Sequence, residues 1–270
     1  MDRIRPLETL RTAPIQPAKK LATLRHGWRM HTLSPHTNNP NDLVDVRAIG
    51  IAGANHYYQE QGAPYHKRIP GSIPNLLVRK EVAALLSIAN KYLRAHDMEL
   101  FVFDGWRPQA VQYYCRNVWF PAHLLRMHPR WHLVQIENEI ERFWAHAVET
   151  EEEIDVSCPP PHATGAAVDL TLRTNDGHFL PMGTGFDDFT RASSIDAFEY
   201  PNMHHAEHIE RDNRRILVGV MHDLGFLGHP NEWWHYSYGD QAWAIAESRA
   251  KGIKVSAHFG AINPLPYLAE

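Results

Sequence analysis

The spacing of hydrophobic and polar positions predicts a chain in which strands and helices alternate unevenly. Residues 98–104 and 166–172 alternate with the period of two that is typical of a strand. Residues 76–96 carry a hydrophobic stripe at helical spacing, which predicts an amphipathic helix packed on the core. The same criteria predict strands over 43–52 and 233–238, and helices over 109–120, 130–148 and 205–224.

This order of elements indicates an α+β fold, in which helices pack on a mostly antiparallel sheet. Residues 1–41 are rich in Pro, Thr, His and Asn and have weak periodicity, so they are predicted to form an N-terminal arm. Residues 42–270 are then predicted to form one domain. Within it, residues 53–75 form a long loop rich in Gly and Pro, and such loops often carry function rather than packing.

The charge and hydrophobicity of the chain indicate which kinds of binding partner to expect. The chain of 270 residues has a formal net charge of -4, so no basic surplus indicates binding to nucleic acid or to an anionic membrane. No stretch approaches the roughly 20 apolar residues that span a bilayer, and residues 1–30 lack the apolar run of a signal peptide. We therefore expect a cytoplasmic protein with Cys115 and Cys158 as reduced thiols, while the sequence leaves the oligomeric state open.

The segment from His162 to Asp169 is the first candidate for chemistry. In the predicted strand, Asp169 projects from the face opposite Val168 and Leu170, so a rigid element holds its carboxylate. Gly165 allows a turn just before the strand, through which His162 can approach the same point. Each residue alone has an ordinary structural explanation, because most histidines ligate nothing and an aspartate often ends a strand or lies in a turn.

The second candidate is the motif that runs from Glu232 through two tryptophans to His235. An ideal strand would place Glu232 and His235 on opposite faces, because they lie three residues apart. The two can converge only if Glu232 occupies a turn or a bulge before the strand, and Pro230 and Asn231 are typical of such a turn. Taken alone, both could be surface groups beside a pair of tryptophans.

Together, His162, Asp169 and His235 supply two imidazoles and a carboxylate, which suit a tetrahedral zinc ion with a fourth position for water. Glu232 is then a candidate for the base that takes a proton from that water. Arg107 follows a predicted strand and is a candidate for stabilising an oxyanion or for binding a substrate carboxylate. A salt bridge is the alternative interpretation of this arginine.

Four motifs together resemble the D-alanyl-D-alanine dipeptidase family of zinc peptidases. In chain order they are DGWRPQ around Arg107, PPHATGAAVDLTL around His162 and Asp169, MGTGFD at residues 182–187, and EWWH at residues 232–235. All four occur in family order, and the resemblance runs from about residue 42 to about residue 240. Their joint occurrence is far more specific than any single motif.

The resemblance implies a fold like that of hedgehog domains and D-Ala-D-Ala peptidases, with one zinc ion per chain held by His162, Asp169 and His235. It implies that Glu232 is the general base and that Arg107 stabilises the transition state. It also implies that Asp187 binds the amino terminus of a small dipeptide substrate. Loop capping is the alternative interpretation of this aspartate.

The activity implied by the resemblance is hydrolysis of D-Ala-D-Ala or a related small dipeptide. A carboxypeptidase or endopeptidase of peptidoglycan stem peptides would share the metal site, but the lack of an export signal disfavours it. A zinc-binding module without turnover would share the scaffold, but it would need neither Glu232 nor Arg107. Pro160 stands where the family has a serine, and Trp106 stands where a tyrosine is usual, so we expect a lost hydroxyl contact and a reshaped pocket wall.

Overall fold

The computed structural model describes residues 4–34, 39–200, 204 and 207–268. The strands among them are β1 (Leu43–Asp45), β2 (Ala52–Gly53), β3 (Leu77–Arg79), β4 (Met98–Asp104), β5 (Ala167–Thr174), β6 (Leu227–His229) and β7 (Glu232–Ser237). The α-helices among them are α1 (Leu7–Thr12), α2 (Ala18–Arg25), α3 (Lys80–Arg94), α4 (Gln109–Tyr113), α5 (Phe120–Met127), α6 (Leu133–Phe143), α7 (Glu207–Asp223) and α8 (Gln241–Lys251). A π-helix over Tyr114–Trp119 joins α4 to α5.

The central sheet contains five strands in the order β2-β4-β5-β7-β6. The pairs β4–β5, β5–β7 and β7–β6 are antiparallel, and β2 pairs with β4 in the parallel direction. The prediction of an α+β fold with a mostly antiparallel sheet is therefore confirmed. A separate antiparallel pair forms between β1 and β3, where Leu43 lies opposite Arg79.

The main hydrophobic core joins one face of β5 to α3 and α7. Val168, Leu170 and Leu172 alternate along β5 and are fully buried in this core, as the period of two predicts. The stripe of α3 packs in the same cluster through residues such as Val82 and Leu86. Burial of each such side chain stabilises the folded state by about 1.5–3 kcal/mol, so this face of β5 is fixed against the core. The other face of the strand is free to carry polar groups.

Two predicted elements have the wrong boundaries. The strand predicted over 43–52 is interrupted by a 3₁₀-helix at Val46–Ile49, because the Asp45 side chain accepts a hydrogen bond from the Arg47 backbone N–H and caps that turn. The helix predicted over 76–96 begins only at Lys80, because residues 77–79 pair with β1. The periodicity of a short apolar run does not distinguish a strand from a helix. Pairing with a distant segment then determines which of the two forms.

The other predicted helices keep their place, but their lengths differ from the prediction. The helix predicted over 130–148 extends over Leu133–Phe143, and that predicted over 109–120 continues through the π-helix into α5. The helix predicted over 205–224 is α7, although residues 205 and 206 lie outside the described part of the chain.

The predicted N-terminal arm contains α1 and α2, and residues 1–3 and 35–38 of it lie outside the described residues. Leu10 of α1 is fully buried in the main core, and Leu21 of α2 packs with Ile195 and Leu227. Both helices therefore lie against the rest of the chain, while a boundary at residue 41 stays a prediction. None of the described helices has the length and hydrophobicity needed to cross a bilayer.

Candidate active site

His162 and Asp169 are placed by a turn followed by a strand. His162 lies in a 3₁₀-helix, Pro161–Thr164, which ends at Gly165 with a φ of 69°. That left-handed conformation favours glycine, and it redirects the chain into β5 two residues later. Asp169 then projects from β5 on the face opposite Val168, and both His162 and Asp169 are buried.

Glu232 and His235 are brought to one side by an irregularity between β6 and β7. The pairing register shifts between Gly228 and His229, so that His229 lies opposite Glu232. The three-residue spacing predicted a turn or a bulge at this point, and the register shift provides such an irregularity. As a result, the Oε2 atom of Glu232 lies 3.7 Å from Nδ1 of His235.

Three side chains meet at one point. The Nε2 atom of His162 lies 3.1 Å from Nδ1 of His235 and 3.4 Å from Oδ2 of Asp169. The Oδ1 atom of Asp169 lies 3.0 Å from Nδ1 of His235. A tetrahedral ion with bonds of about 2.0–2.1 Å has ligand atoms about 3.3 Å apart, so this donor set and spacing fit zinc. The structure thus brings together the three residues predicted as ligands.

The outer contacts of these side chains leave the inward atoms available for an ion. The Nδ1 atom of His162 lies 2.8 Å from the carbonyl oxygen of Gly105, and because a carbonyl oxygen only accepts, this contact assigns the donor role to Nδ1 while Nε2 faces Asp169 and His235. Burial lowers the pKa of His235 to about 4, which keeps that imidazole neutral near pH 7. Although burial opposes ionisation of Asp169, the two adjacent histidines hold its pKa well below the usual range. Neutral imidazoles and an ionised carboxylate are the forms that bind a cation.

Arg107 lies beside the cluster and is held by three hydrogen bonds. Its Nε donates to Asp104 Oδ2 at 2.7 Å, its Nη1 to Gln112 Oε1 at 2.8 Å, and its Nη2 to Asp169 Oδ2 at 3.0 Å. Asp104 is fully buried at the end of β4 and also lies 3.4 Å from Nδ1 of His162. Sequence reasoning missed Asp104, although its position three residues before Arg107 at a strand end was a usable signal.

The carboxyl group of Glu232 is buried and lies between two imidazoles. Its Oε1 atom is 3.7 Å from Nδ1 of His229, and its Oε2 atom faces His235. Burial, reinforced by the charges of Asp169 and Asp187, raises the pKa of Glu232 well above its usual value. A carboxyl group with a raised pKa accepts and returns a proton more readily near neutral pH.

Asp187 lies in the same cleft and is fixed by the long loop. Its Oδ2 atom accepts hydrogen bonds from the hydroxyls of Tyr65 at 2.6 Å and Tyr57 at 3.0 Å. Its backbone has a φ of 53°, an uncommon conformation for a residue other than glycine. Burial raises the pKa of Asp187 to about 7. The two tyrosines, which sequence reasoning did not single out, come from the Gly- and Pro-rich loop predicted to carry function.

One polar cleft connects these groups. Its walls are formed by Arg107, His162, Asp187, Glu232 and Pro160, among others. Trp106 is fully buried and donates its indole N–H to the carbonyl oxygen of Ile262, on the side away from the cleft. The expectation that Trp106 reshapes the pocket wall is therefore wrong, because its ring packs with Leu77 and Ile262 and does not line the cleft.

The fold and the buried His-Asp-His group, with a glutamate beside it, define a metallopeptidase. The chain belongs to the D-Ala-D-Ala dipeptidase family, because the model of that family matches residues 43–251. The family is zinc-dependent. The resemblance predicted from the four motifs is confirmed, as is the prediction of a dipeptidase.

Two proteins that are similar in sequence to this chain are D-alanyl-D-alanine dipeptidases. The D-alanyl-D-alanine dipeptidase of Synechocystis sp. is 32% identical over 214 residues, which cover 75% of this chain and 83% of that protein. The D-alanyl-D-alanine dipeptidase of Escherichia coli is 26% identical over 160 residues, which cover 59% of this chain and 65% of that protein. Among solved structures, the vancomycin resistance D,D-pentapeptidase VanY in complex with Zn(II) is 17% identical, with a TM-score of 0.34, over 67% of this chain and 82% of that chain.

Proposed function

We propose that this chain hydrolyses D-Ala-D-Ala, or a closely related dipeptide with free termini, in the cytoplasm and with one zinc ion per chain. His162, Asp169 and His235 hold the ion in this proposal. The observation that carries it is the convergence of two imidazole nitrogens and both oxygens of the Asp169 carboxylate, whose contacts are 3.0–3.4 Å long, with Glu232 beside them. A zinc ion bound there would polarise the scissile carbonyl group and acidify a water molecule.

Glu232 serves as the general base in this reaction. It takes a proton from the attacking water and passes it to the nitrogen of the leaving amino acid. Its carboxylate lies beside the three proposed ligands, within reach of a water molecule that a bound metal would acidify.

Arg107 stabilises the negative charge that develops on the carbonyl oxygen. A guanidinium group has five N–H donors, and three hydrogen bonds already fix its plane through Asp104, Gln112 and Asp169. The remaining donors belong to a group that does not have to reorganise during the reaction, which is the condition for strong electrostatic stabilisation.

Asp187 binds the ammonium group of the substrate. Both tyrosine hydroxyls donate to its Oδ2 atom, and Oδ1 accepts no hydrogen bond from the described residues. A buried carboxylate with one uncommitted oxygen suits a free amino terminus, which distinguishes a dipeptide from the end of a longer chain. Loop capping, the alternative role, does not require this carboxylate to line the cleft.

A substrate panel tests the proposal. Zinc-loaded protein is given D,D-, L,D- and L,L-dipeptides, the tripeptide with one further N-terminal residue, and N-acetyl-D-Ala-D-Ala, and the release of free amino acid is measured. We expect turnover of D-Ala-D-Ala or a near relative, little turnover of the N-blocked substrates, and a loss of orders of magnitude in Glu232→Ala. Preferred cleavage of the longer peptides would favour a carboxypeptidase, and full zinc binding without any hydrolysis would favour a binding module.

A further inference from the structure

Arg25 reaches the active-site cleft from outside the part of the chain that matches the family model. That match covers residues 43–251, whereas Arg25 is the last residue of α2 in the N-terminal arm. Its side chain is only 7% exposed and lines the same cleft as Glu232 and His235. The cleft that holds the proposed metal site is therefore completed by a segment that the family motifs do not include.

The position of Arg25 is built into the structure rather than left to a mobile surface chain. At the start of α2, the backbone N–H of Ala18 donates to Asp196 Oδ2 at 2.8 Å. At its end, the Nη1 atom of Arg249 donates to the carbonyl oxygens of Thr23 and Leu24, both at 2.7 Å. These contacts hold both ends of the helix, so the backbone that carries Arg25 has a fixed place at the cleft.

Arg25 is a buried cation whose charge is not matched by an ion pair. Its Nη1 atom is buried and has no hydrogen-bond partner within the described part of the chain. The carboxyl groups of Glu232 and Asp240 interact electrostatically with Arg25, but neither forms an ion pair with it within 4.0 Å. Native proteins seldom leave a buried guanidinium unpaired, because desolvation of the charge is costly. An anion from outside the chain would satisfy it.

The cationic and anionic groups of the cleft come from different elements. Asp187 accepts hydrogen bonds from Tyr57 and Tyr65, whereas Arg25 enters the same cleft from the end of α2. A dipeptide carries an ammonium group at one end and a carboxylate at the other. With the ammonium group at Asp187, a cation elsewhere in the cleft is complementary to the other end of the same molecule.

We propose that Arg25 binds the terminal carboxylate of the dipeptide, so that the N-terminal arm supplies a specificity-determining residue. Pro160, which lines the cleft where the family has a serine, has no hydroxyl to offer as a donor. Arg25 supplies a guanidinium donor that can pair with both carboxylate oxygens. This inference rests on the proposed dipeptidase function, and it predicts selection for a free carboxyl end.

Arg25→Met tests the inference with two substrates that differ only in the terminal charge, D-Ala-D-Ala and its C-terminal amide. We expect the wild type to favour the free acid by about 10- to 100-fold in kcat/KM, the range for a hydrogen bond between charged groups. In Arg25→Met the loss should fall on the free acid, mainly as a higher KM, and the two substrates should become nearly equal. Arg11→Met is the matched control, since Arg11 is an exposed arginine of the same arm that pairs with Glu8.

An equal loss on both substrates would overturn the inference, because it would mean that Arg25 supports the structure or tunes Glu232. So would an unchanged preference for the free acid. Arg25→Lys keeps the charge and much of the stem, so it provides the same comparison if the methionine variant does not fold. It should retain part of the preference, because an ammonium group cannot make the bidentate contact.

Binding provides a readout that does not depend on turnover. A phosphinate analogue of D-Ala-D-Ala and its C-terminal amide are titrated into wild type and Arg25→Met by calorimetry. The free acid should bind the wild type about 10- to 100-fold more tightly than the amide does, and Arg25→Met should abolish that difference. If the wild type cleaves no dipeptide, the proposed function fails. If it cleaves dipeptides but shows no dependence on the carboxylate, only the role of Arg25 fails.

Discussion

The hydrogen bond from Tyr65 to Asp187 should set the lower pH limit of activity. The hydroxyl of Tyr65 donates to Asp187 Oδ2 at 2.6 Å, which is the length of a charge-assisted bond to a carboxylate. Such a bond stabilises the ionised form, so it opposes the burial that raises the pKa of Asp187. Tyr65→Phe removes the hydroxyl and retains the ring that packs against Tyr57.

The size of the effect follows from the strength of that bond. A hydrogen bond to a charged group contributes about 1.5–3 kcal/mol, and one pH unit corresponds to about 1.36 kcal/mol. Loss of the hydroxyl should therefore raise the pKa of Asp187 by about one to two pH units. Since only the ionised carboxylate pairs with the substrate ammonium group, the acid limb of kcat/KM should move to higher pH by the same amount.

The assay is a pH profile of kcat/KM for D-Ala-D-Ala with wild type, Tyr65→Phe and Tyr92→Phe. Tyr92 is the matched control, because its hydroxyl donates to the backbone oxygen of Arg5 at 2.9 Å, outside the cleft. Zinc content and thermal stability are measured for all three proteins. An acid limb that stays at the wild-type pH in Tyr65→Phe would refute the proposal that ionised Asp187 binds the substrate.

Three further predictions concern the metal site and its neighbours. Glu232→Gln should lower kcat by about 10²–10⁴-fold while the zinc content stays unchanged, which single-turnover kinetics and metal analysis together can check. Arg107→Met should lower the free energy of unfolding of the metal-free protein by about 3–5 kcal/mol, because Asp104 and Asp169 lose the buried cation with which they pair. Urea titration measures this difference, and an unchanged free energy of unfolding would show that the ion pairs do not stabilise the fold. Chelation of the metal should abolish activity and lower Tm, and zinc should restore both; full activity in metal-free protein would exclude the proposed chemistry.

The local sequence pattern was sufficient to predict the elements that carry the three proposed metal ligands. The alternation along β5 fixes the face of Asp169, and the glycine at residue 165 marks the turn that brings His162 to the same point. The spacing of Glu232 and His235 predicted a turn or a bulge at the start of the strand, and the register of β6 with β7 shifts there. Each of these inferences depends on a few adjacent residues, so the sequence alone could support them.

Contacts between distant segments could not be derived in this way. Asp104 meets Arg107 at the end of β4, but its approach to His162 depends on where the chain returns 58 residues later. Arg25 enters the cleft only because α2 is held by Asp196 and Arg249, which lie far along the chain. Local periodicity does not report such packing, and the same reason explains why residues 77–79 form a strand rather than the first turn of α3.

Metal analysis of the purified protein, combined with zinc X-ray absorption, tests the proposed metal site directly. We expect one zinc ion per chain, bound by two imidazole nitrogens and one carboxylate oxygen at about 2.0–2.1 Å. We also expect that His162→Ala, Asp169→Ala and His235→Ala each lose the ion, whereas Glu232→Gln retains it. Zinc retained at full occupancy in those three variants would show that these residues do not hold the metal, and zinc lost in Glu232→Gln would show that Glu232 is itself a ligand.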